Sequence, residues 1–159
     1  EVTGLWRPQF SAVYDCGKVA SKYAISCIAD GGIRHATHAF KAFLAGGTAV
    51  MLGKLIAATK DSPAKEEDPG KKRYRGMGSP ELVKTHATAF HKYDPKTFIA
   101  EGKPEDLTIT TSLEEFLVFF KANLERDFER FGILDLQDAH TKLRSGRLRA
   151  QYAHDRSTR

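Results

Sequence analysis

The stretch 27–54, CIADGGIRHATHAFKAFLAGGTAVMLGK, decides the fold of this chain. Two short apolar runs, at 24–29 and 49–52, lack polar alternation; the first ends in Asp30-Gly31-Gly32 and the second is followed by Gly53. Runs of this kind are typical of strands that are buried on both faces of a parallel sheet. Between them, residues 35–45 place apolar side chains at helical spacing, and a double glycine ends the predicted helix. The stretch therefore predicts a strand, a crossover helix and a parallel strand.

A helix is predicted before this unit and a hairpin turn after it. Residues 10–24 predict a helix whose inner positions are Val13, Tyr14, Val19, Ala20 and Tyr23. His35 and His38 are interpreted as helix-start or surface histidines. Asp68-Pro69-Gly70 predicts a hairpin turn.

The C-terminal part predicts two helices. Ser112 and Glu115 have the spacing of a capping box, and the helix that they begin ends at Gly132. Residues 136–143 predict a second, short helix before a basic, poorly ordered end. One wide apolar face of the long helix is expected in the core: Leu113, Phe116, Leu117, Phe120, Leu124, Phe128 and Phe131.

Composition bounds the function classes. The 159 residues amount to one domain, and no apolar run approaches the roughly 20 residues of a membrane span. We therefore expect no membrane partner and a cytoplasmic protein, or an organellar-matrix protein if it belongs to a larger assembly. Cys16 and Cys27 lack metal-ligand spacing, so they predict reduced, buried thiols, and no metal site is predicted.

The net charge of +5 leaves two interpretations open: a solvated face with a flexible tail, or a surface for polyanions or phosphate ligands. The basic residues collect in two clusters, which are Lys71, Lys72, Arg73 and Arg75, and Lys142, Arg144, Arg147, Arg149, Arg156 and Arg159.

The ends of the predicted strands carry the candidate chemistry. In α/β folds, ligands bind beyond the carboxyl ends of parallel strands. Gly31-Gly32 lets backbone N–H groups approach an anion, and Asp30 can accept hydrogen bonds from ribose hydroxyls.

Four segments in order carry a family resemblance: WRPQFSAVY, CIADGGIR, AVMLGKLIAATKDSP and KKRYRGMGS. Together they resemble the family of inosine-5′-monophosphate (IMP) dehydrogenase and guanosine-5′-monophosphate (GMP) reductase. The dehydrogenase fits better, because the reductase usually carries GMSS where this chain has GMGS.

The resemblance implies an α/β fold that is the C-terminal portion of a TIM (β/α)8 barrel: its last two strands with their helices, then a helical tail. It divides the chain into the last βα units with the phosphate loops (1–79), a flap-like loop (80–100) and terminal helices with a basic tail (101–159). The catalytic cysteine of the family lies just upstream of RPQ, so it falls before residue 1.

The resemblance also implies roles for individual residues. Asp30 would bind the ribose. The phosphate would be bound by Gly31, Gly32, Gly53, Lys54 and Tyr74. The purine would be bound by Met77, Gly78 and Glu101. Lys92 and Tyr93 stand at the catalytic Arg-Tyr pair of the flap, and NAD would be the cofactor. The family's Glu-Gly-Gly run is missing, so no monovalent-cation site is predicted.

Three departures from the family keep two hypotheses open. Lys54 replaces a serine, Lys92 replaces the flap arginine, and Trp6 replaces a glycine. The first hypothesis is the C-terminal part of an NAD-dependent IMP dehydrogenase, and the second is a non-catalytic relative serving as a structural subunit, with nucleic acid bound through the basic tail. Because two parallel strands leave open edges and an uncovered apolar face, both hypotheses predict an oligomer or a partner that completes the barrel.

Overall fold

The computed structural model describes residues 7–85 and 102–150 and shows a mixed α/β architecture. Eleven helices and strands occur in these residues, together with a 3₁₀ turn at Ser21–Tyr23. In chain order they are α1 (Gln9–Ala20), β1 (Ile28–Asp30), α2 (Ala36–Ala45), β2 (Ala49–Met51), α3 (Lys54–Ala57), β3 (Glu66–Asp68), β4 (Lys71–Tyr74), α4 (Pro80–Thr85), β5 (Glu105–Thr108), α5 (Leu113–Arg130) and α6 (Leu136–Arg144).

The predicted strand, helix and parallel strand are confirmed. β1 pairs in parallel with β2, and Ala29 lies opposite Val50. α2 connects them and ends at Gly46, whose φ of 115° lies in the left-handed region that favours glycine. The parallel pair and its crossover helix thus follow directly from the stretch 27–54.

The boundaries around β1 were wrong in the sequence prediction. The strand begins at Ile28 rather than at 24, because Ala24 has a left-handed φ of 53° that ends the preceding turn. α1 ends at Ala20 rather than at 24. Two of the predicted inner residues, Val19 in α1 and Tyr23 in the turn that follows, are 56% and 71% exposed.

A second, antiparallel sheet has the strand order β3-β4-β5. Gly70, with a φ of 75°, lies in the turn between β3 and β4, which confirms the predicted hairpin. β5 pairs antiparallel with β4, and Glu105 lies opposite Tyr74. Its sequence, EDLT, has no clear apolar alternation, and β5 was not predicted.

Two apolar clusters share the helix α2. One cluster lies between α1, α2 and the parallel strands and is centred on Val13, Ala29 and Ala42. The other lies between α2, α5 and α6 and is centred on Phe40 and Ile133. α2 therefore contributes to both cores.

The apolar face of α5 is only partly in the core, contrary to the sequence prediction. Leu124 and Phe128 pack on the second cluster, but no residue of α5 is fully buried, and Leu117 is 46% exposed. The reason is that the core cluster meets only the C-terminal half of the helix. Its first turn confirms the capping box: the Glu115 N–H donates to Ser112 Oγ at 3.2 Å, and the Ser112 N–H donates to a Glu115 carboxylate oxygen at 3.2 Å.

The parallel strands have only one face covered within the described residues. Successive side chains of a strand point to opposite faces, so Ala29 and Val50 enter the first cluster, whereas Ile28 and Met51 face the other way. Ile28 and Met51 are 58% and 51% exposed. The predicted burial of both faces therefore does not hold for these residues alone.

The two cysteines are free thiols. Cys16 is exposed on α1, which corrects the prediction that both are buried, and Cys27 is half-buried before β1. Partial burial, with a smaller effect of Cys16, raises the pKa of the Cys27 thiol. No helix within the described segments 7–85 and 102–150 is both long and apolar enough to cross a lipid bilayer.

Candidate functional site

A cavity of about 250 Å³ lies at the carboxyl ends of the two parallel strands. Six of the residues predicted from the sequence line it: Asp30, Gly31, Gly32, Gly53, Lys54 and Tyr74. The parallel register explains part of this convergence, because Asp30 pairs with Met51 and the loops that follow both strands leave from the same edge.

The turn after β1 has a backbone that glycine makes accessible. Gly31 and Gly32 have φ values of 98° and 74°, and a Cβ atom built on either would meet no atom within 4 Å. The space in front of both residues is open to a ligand, and a side chain at either would be strained by the backbone conformation.

Neighbouring side chains hold this turn in place. Nδ1 of His38, in the first turn of α2, lies 3.1 Å from the Gly32 carbonyl oxygen and 3.2 Å from the Arg34 backbone nitrogen. Nε2 of Gln9 donates to the Asp30 carbonyl oxygen at 2.7 Å. His35 is the residue that precedes α2, so the helix-start interpretation of both histidines is confirmed. Sequence reasoning missed the contacts of Gln9 and His38 with the turn, since it had assigned neither side chain to the site.

Tyr74 joins the second sheet to this site. A Cβ atom on Gly53 would lie 2.8 Å from the Tyr74 hydroxyl oxygen, so the absence of a side chain at Gly53 makes this approach possible. The backbone after β2 and the hydroxyl at the end of β4 thus line the same cavity.

Lys54 is already engaged with a carboxylate. Its Nζ forms an ion pair with Glu105, and the two side chains are 46% and 52% exposed. Because Glu105 pairs across the sheet with Tyr74, the carboxylate lies beside the cavity. Sequence reasoning missed Glu105, since 51 residues separate it from Lys54.

The predicted purine-binding residues are only partly described. Met77 is 65% exposed, and it and Gly78 do not line the cavity. The Gly78 carbonyl oxygen accepts a hydrogen bond from the Gly102 N–H at 3.1 Å, which brings these two chain segments together. The predictions for Trp6, Lys92, Tyr93 and Glu101 concern residues outside the described part of the chain.

Most residues of the first basic cluster make hydrogen bonds or ion pairs within the fold. Lys72 is 5% exposed, and its Nζ donates to three backbone carbonyl oxygens at 2.7–2.8 Å. Arg73 and Arg75 both pair with Glu81, at 3.0 and 2.8 Å. The hydrogen bond from Arg73, with a smaller contribution from Arg75, lowers the pKa of the Glu81 carboxyl. Three of the four cluster residues are therefore engaged in contacts within the fold.

The second basic cluster also contributes contacts within the fold. Lys142 Nζ lies 2.5 Å from an Asp138 carboxylate oxygen, and Arg144 Nη2 donates to the Gly17 carbonyl oxygen at 3.2 Å.

Across 7–85 and 102–150, the acidic, histidine and cysteine side chains form no group of three or more that could hold a metal ion.

A glycine turn, a carboxylate and a hydroxyl from a neighbouring sheet, brought together at the carboxyl ends of parallel strands, are typical of ligand sites in α/β proteins. The chain belongs to the IMP dehydrogenase / GMP reductase domain family, whose profile matches residues 1–154. The resemblance seen in the sequence segments is thereby confirmed.

Individual relatives are IMP dehydrogenases by name. The chain is 31% identical over 154 residues to inosine-5′-monophosphate dehydrogenase of Caenorhabditis elegans. This match covers 92% of the chain and 29% of the relative. It is 33% identical over 155 residues to inosine-5′-monophosphate dehydrogenase 2 of Arabidopsis thaliana (95% and 31%). It is 42% identical over 120 residues to the enzyme of Staphylococcus saprophyticus (72% and 25%). The matched part is about a quarter to a third of the length of these relatives.

Proposed function

We propose that this chain supplies the phosphate- and ribose-binding end of an IMP dehydrogenase barrel. The observation that carries the proposal is the cavity at the ends of β1 and β2, where the glycine turn, Asp30, Gly53 and Tyr74 converge. Backbone N–H groups and a hydroxyl suit phosphate oxygens, and a carboxylate suits ribose hydroxyls.

The wider assignment follows the family. Residues 1–79 would be the last βα units of the TIM barrel, 80–100 a flap with Lys92 and Tyr93 at its catalytic pair, and 101–159 the terminal helices. Met77, Gly78 and Glu101 would bind the purine. The nucleophilic cysteine and the other strands would come from chain outside this sequence, in the same or another subunit of an oligomer.

NAD enters the proposal only through the family, as the acceptor of hydride from IMP. The cavity of about 250 Å³ is smaller than the 300–1,000 Å³ typical of whole-ligand pockets, so it has room for only part of a mononucleotide. This cavity by itself has no room for a dinucleotide, whose contacts would have to come from other residues.

Binding of IMP to the protein as isolated tests the proposal. Isothermal titration should show IMP binding at least tenfold more tightly than inosine, because inosine lacks the phosphate. Tyr74→Phe should weaken IMP binding by about two- to twelvefold, which corresponds to the loss of a hydrogen bond worth about 0.5–1.5 kcal/mol. Tyr23→Phe is the matched control, since Tyr23 is 71% exposed and lies in the turn after α1. Equal affinities for IMP and inosine would contradict the proposal.

One observation favours a second candidate, a non-catalytic structural relative. The Lys54 ammonium already has a carboxylate partner in Glu105, so the site is partly satisfied without a ligand. In that case nucleic acid would bind through the basic tail, and affinity for RNA would fall steeply with salt. A filter-binding series between about 50 and 200 mM salt distinguishes the two functions.

A further inference from the structure

The pair between Lys54 and Glu105 lies where a phosphate group would need positive charge. Lys54 follows Gly53 directly, and both line the strand-end cavity. Glu105 begins β5 and lies opposite Tyr74. Both side chains are about half exposed, so their contact is open to competition from a ligand.

The charges of this cavity are balanced without a ligand. Lys54 and Arg34 bring positive charge to its wall, and Asp30 lies on the same wall. Glu105 neutralises Lys54, because an ammonium in contact with a carboxylate has little net field for a second anion. A phosphate monoester carries about 1.5 to 2 negative charges at neutral pH, so it would be repelled by Glu105 at the same position.

We infer that Glu105 is a specificity-determining residue that weakens phosphate binding by competing with the phosphate group for Lys54. This inference rests on the proposed function, because it assumes that the phosphate enters the cavity next to Gly53. It assigns a role to the acidic start of β5, and it gives Lys54 a second state in which its ammonium turns from Glu105 to a phosphate oxygen.

Removal of the Glu105 charge tests the inference. In the protein as isolated, Glu105→Gln should raise the affinity for inorganic phosphate and for IMP by about three- to tenfold at low salt. The gain should shrink at about 0.5 M salt, because the charges are exposed and become screened. Affinity for inosine, which has no phosphate, should stay within about twofold. No change in phosphate or IMP affinity would overturn the inference.

Asp106→Asn is the matched control. Asp106 is the next residue of β5, and its carboxylate binds Arg73 at 2.9 Å rather than Lys54. The substitution removes one negative charge from the same strand, so it separates the contact with Lys54 from a change in net charge. An equal gain in Asp106→Asn would overturn the inference.

Replacing Lys54 tests whether its ammonium is the group for which Glu105 and the phosphate compete. When Glu105→Gln is added to a Lys54→Ser protein, phosphate affinity should rise by less than about half as much as it does when Glu105→Gln is made in the protein that keeps Lys54. A full gain in that background would overturn the inference. If Glu105→Gln fails to fold by circular dichroism, Glu105→Asp shortens the side chain by one methylene and should give a smaller gain of the same sign.

The outcomes distinguish this inference from the proposed function. If Glu105→Gln improves inorganic phosphate binding but IMP binds no better than phosphate, the inference stands and the purine-nucleotide function is wrong. If IMP binds tightly and equally to all variants, the function stands and the inference is overturned. If neither ligand binds to any variant, both are overturned.

Discussion

Gly17 shows how a single missing side chain sets the distance between two helices. A Cβ atom on Gly17 would lie 2.7 Å from the Gly46 carbonyl oxygen, so α1 approaches the end of α2 only because position 17 has no side chain. The Gly17 carbonyl oxygen also accepts a hydrogen bond from Arg144 of α6. Three helices therefore meet at this residue.

Gly17→Ala should destabilise the protein by about 1–3 kcal/mol, because the added methyl group would force α1 away from the backbone at Gly46. Urea unfolding followed by circular dichroism measures the change. Cys16→Ala, at the exposed neighbouring position of the same helix, should change the free energy of unfolding by less than about 0.5 kcal/mol. Equal stabilities of Gly17→Ala and Cys16→Ala would contradict the packing described for Gly17.

The two glycines also show what a sequence can reveal at this scale. Gly46 was predicted as a helix stop, because the end of an apolar helical pattern followed by glycine is a local signal. The need for glycine at position 17 was not predictable, since it arises from a contact with a residue 29 positions away whose location depends on the packed fold. For the same reason, the pairing of Glu105 with Lys54 could not be predicted from the sequence.

At the level of secondary structure, local patterns predicted the elements whose signals are strong. β1, α2 and β2 follow from apolar runs and glycines, and the capping box of α5 from two residues three apart. β5 was not predicted, because its sequence has little apolar character and the strand is stabilised by pairing with β4. The burial of α5 was overestimated because an apolar stripe indicates a contact face but not how much of it is covered.

Lys72 is the clearest case of a side chain that stabilises an element. Its ammonium donates to the carbonyl oxygens of Thr59, Lys60 and Ser62, which close the turn after α3. Lys72→Met should cost about 1.5–3 kcal/mol, because buried carbonyls would lose a charged donor. Thermal unfolding measures this loss, and Lys71→Met, at the exposed position next to it, should leave the stability nearly unchanged. Similar losses in both variants would show that the ammonium of Lys72 does not stabilise the turn.

At the scale of the whole molecule, the described residues leave the parallel pair covered on one face. Ile28 and Met51 lie on the other face, more than half exposed, and Asp30 lies on it beside the cavity. Exposed apolar strand faces mark places where another surface packs. We therefore expect the protein in solution to be associated with further strands.

Native mass spectrometry of the material as isolated, followed by the denaturing mass of each component, tests this expectation. A second chain of a size that completes the barrel would support the split or cleaved enzyme, and assays of NADH production from IMP would follow. Recovery with RNA or unrelated proteins and no barrel half would support the structural relative. A stable monomer that does not bind a hydrophobic dye would contradict the expectation.

The position of α2 between two apolar clusters has a consequence for cooperativity. Ala42 belongs to one cluster and Phe40 to the other, so the same ten-residue helix must be formed for either cluster to exist. Unfolding of α2 therefore disrupts both clusters at once. The amide protons in the second half of α2, which are hydrogen-bonded within the helix, should consequently exchange with solvent mainly through global unfolding, whereas those at the start of α5 can exchange through local opening.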